Sequence, residues 1–472
     1  MKYFSTRHPA RLLSAAAMFA LAGCKTFTPD GGMTPVAELA GDTLRKDVVA
    51  IRNESVAVAA YSDVQRLLAR PLTADAAVQI ALLNNAGLQA AYNRLGVAEA
   101  VMVQGSRPPL PSFGFDWVKT SIELDVERLI VASILSLATW PARSKLAGIR
   151  FEQAELRAAD ETLRLAAETR RAYIRAVAAR QILTALNAAK ASATSSASLS
   201  ESLTQTGAVS KLDHAKRQEF ATEMEAQLTA ARQQADASEE RLTRLLGLWG
   251  KNLSSVLPNT LPPLPGHARG LGAVEQQAME RRVDLAVARL EAEALARSFG
   301  LTRKTRFINV LDAAGISKTQ KDKGEPSADG GGFNIAFEVP LYDFGKARVR
   351  EAEQRYLEAI NGLAQKAVNA RSEAREAFGA YKASYAIAAQ YEHQVLPLRD
   401  TISAETELQF NAMQIDAFAL LEVARAKADA EVASIEARRN FWLASTDLSV
   451  AVLGGGGLSD GRPIVSADAS EN

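Results

Sequence analysis

From Thr73 onward, Ala81, Leu82, Leu88, Ala91 and Leu95 fall on one helical stripe. The pattern predicts an amphipathic helix, capped by Thr73 or Asp75 and running to about Gln104. Arg107-Pro108-Pro109-Leu110-Pro111 stops it, because proline lacks an amide donor and clashes with the preceding turn. Alternation follows. Phe113, Phe115 and Trp117 are separated by Gly114 and Asp116, and Ile122, Leu124 and Val126 by Glu123, Asp125 and Glu127. A period of two with one apolar and one charged side predicts two strands whose faces meet different environments. In a soluble sheet these are core and water; in an outer-membrane barrel they are lipid and lumen.

After Pro141 the period becomes helical. Leu156, Ala159, Leu163, Ala166, Tyr173 and Val177 fall on a heptad seam, and the pattern persists to about Ser202. Roughly sixty residues at about 1.5 Å each predict a rod of about 90 Å. Gly207 marks a turn, and a return helix is predicted from about Lys211 to Leu246. Pro258 to Gly272 reads as a linker between two halves.

The plan then repeats. Ala81, Leu88 and Ala91 correspond to Ala278, Leu285 and Ala288 at an offset of 197. Ala142, Arg143, Ala147, Arg150 and Ala154 correspond to Ala347, Arg348, Ala352, Arg355 and Ala359 at an offset of 205. The difference predicts a longer polar loop at Lys318 to Gly332. A second strand pair is expected near Phe307 to Ile316 and over Phe333, Ile335, Phe337, Val339 and Leu341, with Asn334 and Glu338 on the opposite face. A second rod steps from Tyr356 through Ala367, Ala377 and Tyr381 to Tyr391, turns near Asn411 to Gln414 and returns to Leu453. Its seam is dominated by alanine, which permits close helix approach. Residues 456–472 read as a disordered tail.

Two strand hairpins are too few to close a barrel. An open sheet in hydrocarbon leaves unpaired edge groups, so strands in a membrane require several chains to share one barrel. The expected fold class is therefore mainly α with a small β part.

Composition sharpens this. Lys plus Arg is 55 and Asp plus Glu is 54, so nothing favours nucleic acid as a partner. The N-terminus reads as a lipoprotein signal over residues 1–23: Lys2, Arg7 and Arg11, then the apolar run Leu12 to Leu21, then Leu21-Ala22-Gly23-Cys24. This resembles the bacterial lipobox, which makes Cys24 the expected acylation site, and Lys25 in place of Asp favours outer-membrane sorting. Cys24 is the only cysteine, so no internal disulfide is possible. Residues 24–70 form the expected N-terminal arm, 71–257 the first repeat, 258–272 the linker and 273–455 the second repeat. His8, His214, His267 and His393 share no metal-ligand spacing, and the seven methionines do not cluster. No catalytic constellation is found, so neither enzyme activity nor a cofactor is expected.

The ordered repeat of helix, strand hairpin and long helical hairpin resembles the TolC-like outer-membrane factors over about residues 70–455. Thr73-Ala74-Asp75-Ala76-Ala77-Val78-Gln79-Ile80-Ala81-Leu82-Leu83-Asn84-Asn85 looks like the family's opening helix, and Val339-Pro340-Leu341-Tyr342-Asp343-Phe344-Gly345 resembles its strand-to-helix swivel. Thr206-Gly207-Ala208-Val209-Ser210 resembles the hairpin tip that meets a periplasmic adaptor, with Gly207, Val209 and Ser210 as contact candidates. The resemblance implies a homotrimer in which each chain gives four strands to a shared outer-membrane β-barrel and two helical hairpins to a periplasmic helical barrel. It implies an adaptor, an inner-membrane pump and outer-membrane lipid as partners. It implies acidic residues at a periplasmic gate, here Asp213, Asp416 and Glu422. The sequence departs from the pattern in its short first strand hairpin and in lacking a glycine near Asn411. The competing reading is a periplasmic adaptor or a structural coiled-coil lipoprotein; an adaptor needs β-rich domains flanking a single hairpin.

Overall fold

The computed structural model describes residues 26–207, 209–249, 256–268, 270, 272–415 and 417–455. The leader over 1–23, Cys24, Ala208, Asp416 and the tail over 456–472 lie outside the described residues. The chain divides into two compact units, each drawing on both sequence repeats. One comprises the described parts of Met1–Pro35, Tyr92–Ala158 and Leu285–Lys366; the other comprises those of Val36–Ala91, Ala159–Asp284 and Ala367–Asn472.

The arm is partly helical. Met33–Val36 continues through a π-helical turn, Ala37–Gly41, into Asp42–Leu44, and helix α1 covers Glu54–Leu68. Asn53 caps α1 by accepting the Val56 amide. Thr73 caps α2, Ala74–Asn84, by accepting the Ala76 amide. The single opening helix expected to Gln104 is broken: Asn85 is extended, and α3 restarts over Ala86–Gly105. The Asn85 carboxamide accepts the Leu88 amide at 3.1 Å, capping α3, and donates to the Leu245 carbonyl at 2.9 Å. A side chain able to do both makes the break inexpensive, and hydrophobic periodicity does not register it.

Strands β1, Ser112–Lys119, and β2, Glu123–Ser133, follow. Helix α4 starts at Ile134, ahead of the expected Pro141, and runs unbroken to Gln205. Pro141 thus lies inside the helix rather than ahead of it; nearby, Arg143 donates to the Ser136 carbonyl at 2.8 Å and Thr139 to that of Leu135 at 2.8 Å. Helix α5, Lys211–Leu245, returns after Gly207. Helices α6, Val274–Arg281, and α7, Val283–Lys304, repeat the broken opening helix, with Arg282 extended between them.

Strands β3, Val310–Asp322, and β4, Ala328–Glu338, complete one antiparallel sheet in the order β1-β2-β3-β4. The expected loop over Lys318 to Gly332 is mostly strand, and only residues 323–327 turn. Gly330, Gly331 and Gly332 pair with Lys318, Ser317 and Ile316. Glycines contribute no side-chain alternation, so a ladder through them leaves no periodic signal. Val339 and Leu341, expected in the strand, lie beyond its end at Glu338. Pro340, which cannot donate to a ladder, marks that end.

Helix α8, Lys346–Gln390, passes through a π-helical turn, Tyr391–Val395, into α9, Leu396–Asn411. Pro397 at the start of α9 removes an amide donor, and the wider turn before it accommodates the loss. Helix α10, Ala417–Leu453, ends where the sequence pattern ends. In the second unit, Phe441 is buried among Tyr381, Tyr385 and Trp442 at ring separations of 5.0–5.6 Å. The linker is held down: Trp442 Nε1 donates to the Pro262 carbonyl at 3.1 Å, Tyr385 to that of Pro265 at 3.0 Å, and Gln181 accepts the Leu261 amide at 3.0 Å.

Candidate functional site: a two-faced sheet and the hairpin ends

The strand register sorts the sheet into two faces. Residues directly opposite in an antiparallel ladder share a face. Phe113, Phe115 and Trp117 oppose Ile130, Arg128 and Val126. Ile130 opposes Gly315, which opposes Phe333; Leu311 and Ala313 oppose Phe337 and Ile335. One face is therefore a largely apolar, aromatic band, with Arg128 opposite Phe115 within it and Lys119, Lys321 and Asp329 toward one end. The other carries Asp116, Asp125, Glu127, Asp312, Lys318, Asn334 and Glu338. Lys318 pairs with Asp125 at 3.0 Å, and Gln320 Nε2 donates to Glu123 at 2.6 Å. The apolar band is open: Phe113, Phe333 and Phe337 are 70–74% exposed. β1 and β4 are edge strands, each with one unpaired side in the chain.

The turn after β4 is fixed by backbone crowding. Gly345 has φ +73°, and a Cβ there would lie 2.2 Å from the Arg306 carbonyl oxygen, so only glycine fits. Asp343 accepts the Gly345 amide at 2.9 Å and the Ala347 amide at 3.0 Å, capping α8. The Ala347 and then the Gly345 amide hold its carboxyl below the usual range. In this segment β4 ends at Glu338, two residues ahead of Pro340, Asp343 caps the next helix and Gly345 makes the turn.

At the first hairpin end, Gly207 turns the chain with φ +78°. Ser210 caps α5: its hydroxyl accepts the Asp213 amide at 3.1 Å and donates to the Asp213 carboxylate at 2.7 Å. Asp213 thus serves the helix start. Val209 lies in the turn between. At the second end the missing glycine is replaced by strain, since Met413 takes φ +59° and is almost fully exposed. Glu422 is exposed on α10, while its neighbour Leu421 packs against Ala193, Phe220 and Met224. Arg425 pairs with Glu223 and stacks over Phe220. No hydrogen bond or ion pair joins Asp213 to Glu422. Asp416 and Cys24 lie outside the described residues.

Sequence reasoning missed a cleft of about 580 Å³ in this unit, between α4 and α5 on one side and α9 and α10 on the other. Ala193, Leu199, Phe220, Phe410 and Leu421 line it. The signal was the alanine and serine run over 188–200, too small to fill the space between helices. No helix among the described residues is long and apolar enough to cross a membrane, and no group of His, Cys, Asp or Glu there could hold a metal ion.

No family model and no curated protein matches the sequence. Solved structures do. The CmeC outer membrane channel of Campylobacter jejuni is 19% identical with a TM-score of 0.67, over 84% of this chain and 87% of that one. The outer-membrane channel OprN is 17% identical with a TM-score of 0.66, over 90% and 96%. The MtrE outer membrane channel of Neisseria gonorrhoeae, solved in its open state, is 16% identical with a TM-score of 0.66, over 83% and 89%. The chain has the fold of the TolC-like outer-membrane factors. It is a mainly α protein with long helical hairpins and one small sheet, as expected from its sequence.

Proposed function

We propose that this protein is an outer-membrane channel that passively conducts cargo delivered by an inner-membrane pump and a periplasmic adaptor, in efflux or type I secretion. The observation that carries the reading is the open, two-faced sheet. An aromatic band of this exposure needs lipid or protein against it, and two bare edges in hydrocarbon need partner strands. Three copies joined edge to edge give a closed twelve-stranded barrel with the apolar band outward and the charged face lining a lumen. The helical hairpins then form the periplasmic duct. Gly207, Val209 and Ser210 are assigned to adaptor contact, and Glu422, in preference to Asp416 because residues six apart do not share a helix face, to a cation-attracting constriction; Asp213 is a weaker candidate because its carboxylate accepts from the capping Ser210 hydroxyl. Cys24 is assigned the lipid anchor in the outer membrane.

Three experiments test this. Membrane extracts run on a gel without boiling should show a trimer that dissociates on heating, and the purified protein should conduct in planar bilayers. Release from membranes by high salt, with no conductance, would overturn the reading. Mass spectrometry of the mature N-terminus decides the anchor: an unmodified terminus beginning elsewhere than Cys24 refutes it.

A further inference from the structure

Within the second unit, α4 and α5 face each other across a cleft of about 470 Å³ lined by Glu168, Arg171, Arg175, Arg241, Arg244 and Leu245. Residues four apart on α4 and three apart on α5 share a helix face, so the sequence sets two arginine pairs against one another. Four guanidinium groups meet a single lining carboxylate, and Glu168 is itself turned to Arg164 at 3.8 Å. Arg171 is held by Asp447 at 2.6 Å. The guanidinium groups of Arg175, Arg241 and Arg244 have no hydrogen bond or ion pair to any described residue. Partial burial, then the charges of Arg241 and Arg171, lower the Arg175 pKa. Like charges gathered this closely repel, and nothing in the fold requires it: no helix cap, turn or core contact uses these three groups.

We infer that this cleft binds a phosphate-bearing anion. Guanidinium forks match the oxygens of phosphate in pairs, and several forks around one point suit a multiply charged oxyanion better than a single carboxylate. The cleft has the volume of a small-molecule pocket, so the phosphate is expected to be one end of a larger molecule. That molecule is either a phospholipid offering its headgroup or a soluble phosphorylated compound.

The test uses the full-length protein in neutral detergent, titrated calorimetrically with inorganic pyrophosphate and separately with micelles of phosphatidylglycerol or phosphatidylcholine. Pyrophosphate binding that weakens as salt rises supports a soluble source. Binding of phosphatidylglycerol micelles alone supports a headgroup. In either case Arg175→Gln with Arg241→Gln should weaken binding about tenfold or more, since two charge-assisted contacts to the anion are lost. Arg244→Gln, made separately, should weaken it less. These side chains are exposed, and unchanged circular dichroism will show that the variants fold. Binding to neither probe, or equal binding by the double variant, overturns the inference. Conductance of the same preparations reports independently on the channel reading, so the two can fail separately.

Discussion

Asn85 and Arg282 interrupt the opening helices of the two repeats at equivalent places, with extended ψ values of 113° and 121°. They stand at the offset of 197 that relates Ala81 to Ala278. The two breaks are held by different chemistry. Asn85 uses one carboxamide to cap the next helix and tie down the end of α5. Arg282 is buried, with its guanidinium bound to Asp284 at 2.8 Å and Glu373 at 2.6 Å. Burial opposes its charge, but the two carboxylates outweigh that and raise its pKa.

Arg282→Ala should therefore destabilise the helical part severely, by about 3–5 kcal/mol, because it removes the buried cation from two partly buried carboxylates. Asn85→Ala should cost about 1 kcal/mol, as for a lost cap. Urea unfolding followed by circular dichroism measures both, and equal effects would contradict the contrast.

Phe337→Arg should cost about 2–4 kcal/mol in membrane insertion if the site lies near the bilayer midplane, and Asn334→Arg much less. The two residues lie three apart on β4, on opposite faces. An outer-membrane assembly assay tolerating arginine equally at both would mean the face assignment is wrong.

Gly345→Ala should cost at least about 1–3 kcal/mol, because it adds a left-handed backbone penalty to a clash with the Arg306 carbonyl. Met413→Gly should do the reverse and stabilise by about 1 kcal/mol, relieving the same backbone strain without any clash. Thermal melts of the two variants should move in opposite directions.

Asp160 supplies a pH dependence. Burial raises its pKa, only partly offset by the Gly455 amide that donates to it at 2.8 Å. A carboxyl raised above its unfolded value, about 3.9, favours folding fully below that value and loses its contribution as pH rises through the folded one. Asp160→Asn keeps an oxygen for the Gly455 amide and cannot ionise. The stability of this variant relative to the parent should grow as pH is raised above about 4; a difference that stays flat to neutral pH contradicts the burial argument.

On the proposed trimeric channel, Glu422→Ala should lower cation preference and divalent-cation block in single-channel recordings, because three like charges in a narrow ring would attract cations. Asp416→Ala should have a smaller effect, and Asp213→Ala should chiefly loosen the start of α5. If all three conduct and block like the parent, the gate lies elsewhere while the channel reading stands.

Alternation, heptads and the repeat offset were legible in the sequence because each depends on local side-chain order. They placed both strand pairs, both long hairpins, the turn at Gly207 and the end of α10 at Leu453. Prolines and glycines misled where tertiary contacts override local preference. Pro141 lies inside α4 rather than ahead of it, and the glycines over 330–332 form strand because β3 pairs with them. Only the tertiary structure decided the rest. The cross-strand register joins Phe113 to Ile130 and Gly315 to Phe333, and so makes one face from two repeats. The apposition of α4 and α5 gathers arginines that are about seventy residues apart. Both depend on partners distant in the chain, and periodicity reports which face of an element is apolar but not what that face will meet.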